Sequence, residues 1–144
     1  MTTVLRAPQN LPEWQAYHDI RRHVLFELRG LGSTYDPNHP DEYRSGHFPL
    51  VLWTGDDAVA VIRVDVEHDV AVFRRVAVRP DVQRRGFGRQ LLEQAELFAQ
   101  HQGCTRIESH VDPDAVVFYE RCGFDRLAKS KRSRASILMG KLIR

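Results

Sequence analysis

Cysteine is scarce in this chain. Only Cys104 and Cys122 occur among 144 residues, too few for a disulfide framework, so a reducing cytoplasm is the expected compartment. One-sided charge is also lacking: Lys and Arg exceed Asp and Glu by 2, a surplus too small to call for nucleic acid as a partner. No apolar run nears the roughly 20 residues of a bilayer-spanning helix, so no membrane partner is expected. The opening Met-Thr-Thr-Val-Leu-Arg-Ala-Pro has no basic segment followed by an apolar one, and no leader peptide is expected. The 7 histidines are scattered without zinc-ligand spacing, so no metal site is expected. Internal repeats, low-complexity stretches and composition breaks are absent. The chain reads as one domain spanning residues 1–144.

What is present is an ordinary globular mixture, 42% apolar and 28% charged, with clear punctuation. Thr3 to Ala7 suits a short strand. Pro12 and Gly30 suit the start and end of a helix carrying Trp14, Tyr17, Ile20, Val24 and Leu28 at near-helical spacing. Residues 31–47 are polar and turn-rich, a long loop. Strands are expected over Pro49–Trp53, Ala58–Val66 and Val70–Val78, the last two forming an antiparallel hairpin around Glu67-His68-Asp69. Gly86 to Gln102 reads as an amphipathic helix with Phe87, Leu91, Ala95, Phe98 and Ala99 on one face and Gly103 as its stop. A strand over Thr105–Val111 precedes a helix with Asp112 as N-cap, Pro113 in the first turn and Gly123 at its end. Phe124–Ala128 and Ser136–Ile143 read as final strands around the basic loop Lys129–Arg134. Antiparallel strands followed by a strand–helix–strand crossover make a mixed sheet with helices on its faces.

Gln83-Arg84-Arg85-Gly86-Phe87-Gly88 is the most informative stretch. It lies between an apolar strand and an amphipathic helix. Glycines permit unusual φ and close approach of a ligand, and the following helix offers unpaired N–H groups and the positive end of its dipole. Arg84, Arg85 and Arg89 add charge. A pyrophosphate-bearing ligand is the natural occupant. A dinucleotide fold needs a third glycine where Leu91 stands, tight against a first strand, and too little chain remains for a second βαβ half. The Gly-Lys-Ser/Thr of a nucleotide P-loop is absent.

Val76-Ala77-Val78-Arg79-Pro80 followed by Gln83-x-x-Gly86-x-Gly88 resembles motif A of the GNAT acetyltransferase superfamily. Asp112-x-x-Ala115-x-x-Phe118-Tyr119-Glu120-x-x-Gly123-Phe124 resembles its motif B, with aspartate where the family often has asparagine. The matched region runs from about Ile62 to Asp125. The resemblance implies an α/β (α+β) fold with a mixed, mostly antiparallel central sheet, helices on both faces and a splayed parallel strand pair. It implies acetyl-CoA as cosubstrate. A bulged strand would present Val76, Ala77 and Val78 to the pantetheine arm, while the loop Gln83, Arg84, Arg85, Gly86, Phe87, Gly88 and Arg89 would hold the pyrophosphate. Tyr119 matches the family's usual general acid, donating a proton to the leaving thiolate. A main-chain N–H near Val76 would hold the oxyanion. The expected activity is transfer of an acetyl group to a primary amine of a small molecule or peptide by direct attack in a ternary complex. Homodimers are common in the family, and a homodimer is compatible with this chain.

The general base is left among Glu108, His110, Asp65 and Glu67, with Glu108 foremost. Cys122, on an apolar helix face, reads as a small hydrophobe rather than an acyl carrier. For the acceptor, Asp36, Asp41 and Glu42 would attract a cationic amine, whereas Lys129, Lys131, Arg132 and Arg134 would attract an anion. A non-catalytic acyl-CoA-binding or sensing domain is the alternative reading, and Tyr119 argues against it.

Overall fold

The computed structural model describes residues 2–26, 35–40, 44–127 and 136–143. The strands are β1 (Val4–Arg6), β2 (His47–Thr54), β3 (Asp57–Glu67), β4 (Val70–Val78), β5 (Arg106–Val111), β6 (Asp125–Arg126) and β7 (Ile137–Leu142). The helices are α1 (Leu11–Arg21), α2 (Phe87–His101) and α3 (Val116–Arg121). The strands form one sheet in the order β1-β2-β3-β4-β5-β7-β6. Every neighbouring pair is antiparallel except β4 and β5, which run parallel.

Local chemistry starts and stops these elements. Asn10 caps α1: its side-chain oxygen accepts from the Glu13 N–H at 3.0 Å. The Glu13 carboxylate in turn takes Arg6 at 2.5 and 2.8 Å, tying the helix to β1. The regular helix ends at Arg21 and runs on as one π-helical turn, Arg22–Phe26. The single helix expected from the apolar spacing is therefore two conformations in series. Its expected end, Gly30, lies outside the described residues, as do Asp41, Glu42, Ala128 and the basic residues from Lys129 to Arg134. At the other end of the chain, β6 covers only part of the strand expected from Phe124.

The sheet is covered on both faces. Tyr17 and Ile20 of α1 pack with Val51, Val61 and Ala77 on one face. On the other, Leu91, Leu92, Ala95 and Ala99 of α2 and Val116 and Tyr119 of α3 pack with Ile62, Val64, Phe73, Ile107 and Met139. Each leucine buried this way contributes about 1.5–3 kcal/mol. Cys104 is part of this second core and Cys122 packs at its margin; both are free thiols.

Two features of β4 prepare the site. Val61 pairs with Ala77 but Arg63 pairs with Arg74, so β4 carries one residue more than β3 across that interval. This bulge coincides with Arg75, whose φ is 58°, a left-handed conformation that is uncommon outside glycine. The parallel pairing with β5 covers only Val70–Phe73 against Arg106–Ser109. Beyond Phe73 the two strands part.

Candidate active site

The divergence of β4 and β5 opens a cleft of about 1100 Å³. Its walls include Phe73 to Val78 of β4, Ser109 to Asp112 at the end of β5, and Phe118 and Tyr119 of α3. The π-helical turn adds Val24, Leu25 and Phe26. From Arg74 to Val78 no residue of β4 pairs with β5, so that edge of the strand keeps main-chain groups for an incoming partner. Val76, Ala77 and Val78 all line the cleft.

The loop Gln83–Arg89 closes one end; all but Arg85 of these residues line the cleft. Arg84 and Gly86 adopt left-handed φ of 66° and 85°. Left-handed residues spaced among right-handed ones turn successive N–H groups toward a common point, forming an anion-binding nest. None of the N–H groups from Arg84 to Arg89 donates a hydrogen bond within the described residues, and those of Phe87, Gly88 and Arg89 are first-turn donors of α2. The two glycines do different jobs. Gly86 supplies the positive φ. Gly88 makes room: a Cβ there would stand 3.1 Å from Cζ of Phe118, so the bare backbone lets α3 close on the start of α2.

Tyr119 is only 6% exposed, yet it lines the cleft. Burial pushes its phenol up to about 12, a rise that the nearby Ser109 hydroxyl opposes. The Ser109 hydroxyl donates to the Phe73 carbonyl at 3.1 Å. That Ser109–Phe73 bond lies beside the Tyr119 phenol. It spans the point where β4 and β5 separate. Asp112 departs from its expected role: its side chain does not cap the helix, while its carbonyl accepts from the Ala115 N–H at 2.9 Å. A short 3₁₀ turn, Pro113–Ala115, comes first.

The family model for GNAT acetyltransferases matches residues 13–124. The chain belongs to the GNAT acetyltransferase family. Solved structures agree on the fold. A Lactobacillus plantarum protein described as an N-acetyltransferase is 26% identical, with 99% of this chain and 98% of that one covered at a TM-score of 0.81. The paia N-acetyltransferase of Thermoplasma acidophilum, solved with coenzyme A, is 15% identical over 99% of this chain and 100% of its own, at a TM-score of 0.80. A Bacillus subtilis acetyltransferase, also solved with CoA, is 19% identical over 99% and 98%, at 0.72.

Acetyl-CoA as cosubstrate fits this GNAT fold: the β4 edge, the nest and the α2 amides are the donor set that a pantetheine-pyrophosphate ligand requires. Of the predicted catalytic pair, the structure brings Tyr119 to the cleft and leaves Glu108 outside its walls. Strand alternation explains this. Ser109 faces α3, so Glu108 faces the α1 side, where its carboxylate lies 3.4 Å from Arg106. Among the other candidate bases, Asp65 is buried against Arg63 and Arg74, Glu67 is exposed at the end of β3, and His110 is exposed in the cleft wall. Asp36, offered as an acceptor contact, is exposed and caps its own turn by accepting from the Asn38 N–H at 2.9 Å. Sequence reasoning missed Ser109, Phe118 and the π-helical turn. Phe118 was legible as a motif residue, but not its contact with Gly88. Ser109 carried no signal, because its role depends on a register that only the folded sheet defines.

Proposed function

We propose that this chain, as a single domain over residues 1–144, is an N-acetyltransferase that moves an acetyl group from acetyl-CoA to a primary amine of a small molecule or peptide by direct attack. The observation that carries the proposal is the buried Tyr119 phenol in the wall of the cleft that a bulged, splayed strand pair opens, beside the Ser109 hydroxyl that donates to the Phe73 carbonyl. The bound cosubstrate supplies an activated thioester. Val76, Ala77 and Val78 hold its arm through main-chain groups, and the amides of Arg84 to Arg89, with Gln83 beside them, hold its pyrophosphate. A main-chain N–H near Val76 stabilises the developing oxyanion.

Tyr119 donates the proton that the departing sulfur needs. Its phenol, pushed up to about 12, stays protonated throughout the neutral range. Ser109 supports this step by turning its hydroxyl from the Phe73 carbonyl toward the phenol oxygen as that oxygen gains charge. His110 takes the proton from the incoming amine, the role that the sequence assigned first to Glu108. What favours His110 is its exposed place in the cleft wall. A sensing domain would need the nest but not a phenol in the cleft wall, and Tyr119 there favours catalysis.

Calorimetric titration with acetyl-CoA, followed by thiol release with a panel of amines, tests the proposal. Saturable binding with amine-dependent thiol release is expected. Binding without release to any amine would leave the sensing reading, and no binding would overturn both.

A further inference from the structure

The cleft has walls on both faces of the sheet. Tyr119 and the nest lie on the α2 and α3 side. On the α1 side, the apolar Val24, Leu25 and Phe26 meet Arg74 and His110. The two carboxylates in the cleft wall, Asp112 and Asp114, belong to the turn into α3.

Arg74 is held from behind. Asp65, 3% exposed, takes a bidentate pair from Arg63, Nε at 2.8 Å and Nη2 at 2.9 Å. It also takes Nε of Arg74 at 3.0 Å, with Nε2 of His47 at 3.5 Å. One carboxylate thus serves two guanidiniums. The Arg74 side chain is 44% exposed. With Nε beside Asp65 and the side chain partly exposed in the cleft wall, its two Nη groups are the fork a ligand would meet. A guanidinium fork matches a carboxylate in shape and charge, and the ion pair with Asp65 keeps that fork at the cleft wall.

We infer that the acceptor is a carboxylate-bearing amine of the amino-acid type with an apolar side chain, and that Arg74 is the residue that selects it. The inference rests on the acyl-transfer reading above. Val24, Leu25 and Phe26 receive the apolar side chain, Arg74 receives the carboxylate, and the amine is left toward His110 and the splay point.

The test is a titration that needs no turnover. N-acetyl-leucine and N-acetyl-leucinamide, which stand for product with and without the carboxylate, are titrated into the protein saturated with CoA. The acid is expected to bind about 10- to 100-fold more tightly. Arg74→Gln is expected to erase that ratio, and Arg74→Lys to restore part of it. Equal binding of acid and amide, a preference that survives Arg74→Gln, or no binding of either probe would each overturn the inference. Acetyl-CoA titrated separately reads the acyl-transfer proposal: its failure to bind, with the carboxylate preference intact, would sink that proposal and not the Arg74 assignment.

Discussion

At the scale of single residues, chemistry and conformation are divided between Tyr119 and Gly86. Tyr119→Phe is expected to lower kcat by at least tenfold while leaving the acetyl-CoA dissociation constant within about twofold, because the proton is needed only after binding. Steady-state kinetics beside calorimetry reads the split, and equal losses in both would return Tyr119 to a packing role. Burial also links this phenol to stability. Its folded pKa, about 12, exceeds the ordinary value of 10. The unfolded chain therefore gives up the proton first as pH rises above 10, and stability falls from pH 10 toward 12 by on the order of 2 kcal/mol. Denaturant melts across that window should show a shallower decline for Tyr119→Phe. Gly86→Glu introduces both a strained φ and a carboxylate into the nest. A loss of acetyl-CoA affinity of more than tenfold with an unchanged circular dichroism spectrum is expected, and unchanged affinity would remove the phosphate role of the loop.

Elements were legible wherever a period and a punctuating residue agreed. Val70–Val78 was read to its ends, and α2 to within a residue, because Phe87, Leu91, Ala95 and Ala99 keep one face and Gly103, at φ 85°, stops the helix. Where the main chain left the standard repertoire, the reading failed. Nothing in Arg22–Phe26 announces a π-helical turn, and Asp112-Pro113 reads as a helix start although a 3₁₀ turn intervenes. The left-handed Arg75 is equally silent, since arginine has no preference for that conformation. The bulge was expected only through the resemblance, whereas the loop's phosphate chemistry was legible from its glycines. At this scale Leu91→Ala should cost about 2–5 kcal/mol in chemical denaturation, because Leu91 is fully buried between α2 and the sheet. A cost below 1 kcal/mol would mean that α2 contributes little to the core.

For the whole molecule, the mixed sheet with helices on its faces followed from element order, while the meeting of Arg74 with Asp65, on which the acceptor inference rests, did not, because it depends on the register of β3 against β4. Acetyl-CoA at 100 times its dissociation constant should add about 2.7 kcal/mol to the unfolding free energy. A melting temperature that does not move with ligand would contradict binding to the folded state.

The four-pair seam between β4 and β5 has a consequence for the protein in a crowded solution. A sheet that parts to admit a ligand bares a strand edge, and a bare edge invites another chain as readily as it invites a cosubstrate. Here the bulge at Arg75 bends that edge, and two adjacent exposed arginines charge it. Arg74, to which we assign the acceptor's carboxylate, and Arg75 beside it therefore also keep copies of the molecule from joining edge to edge. Replacing Arg74 and Arg75 together with valine should yield a protein that scatters light and self-associates in the absence of ligand, and that acetyl-CoA, by filling the seam, keeps dispersed.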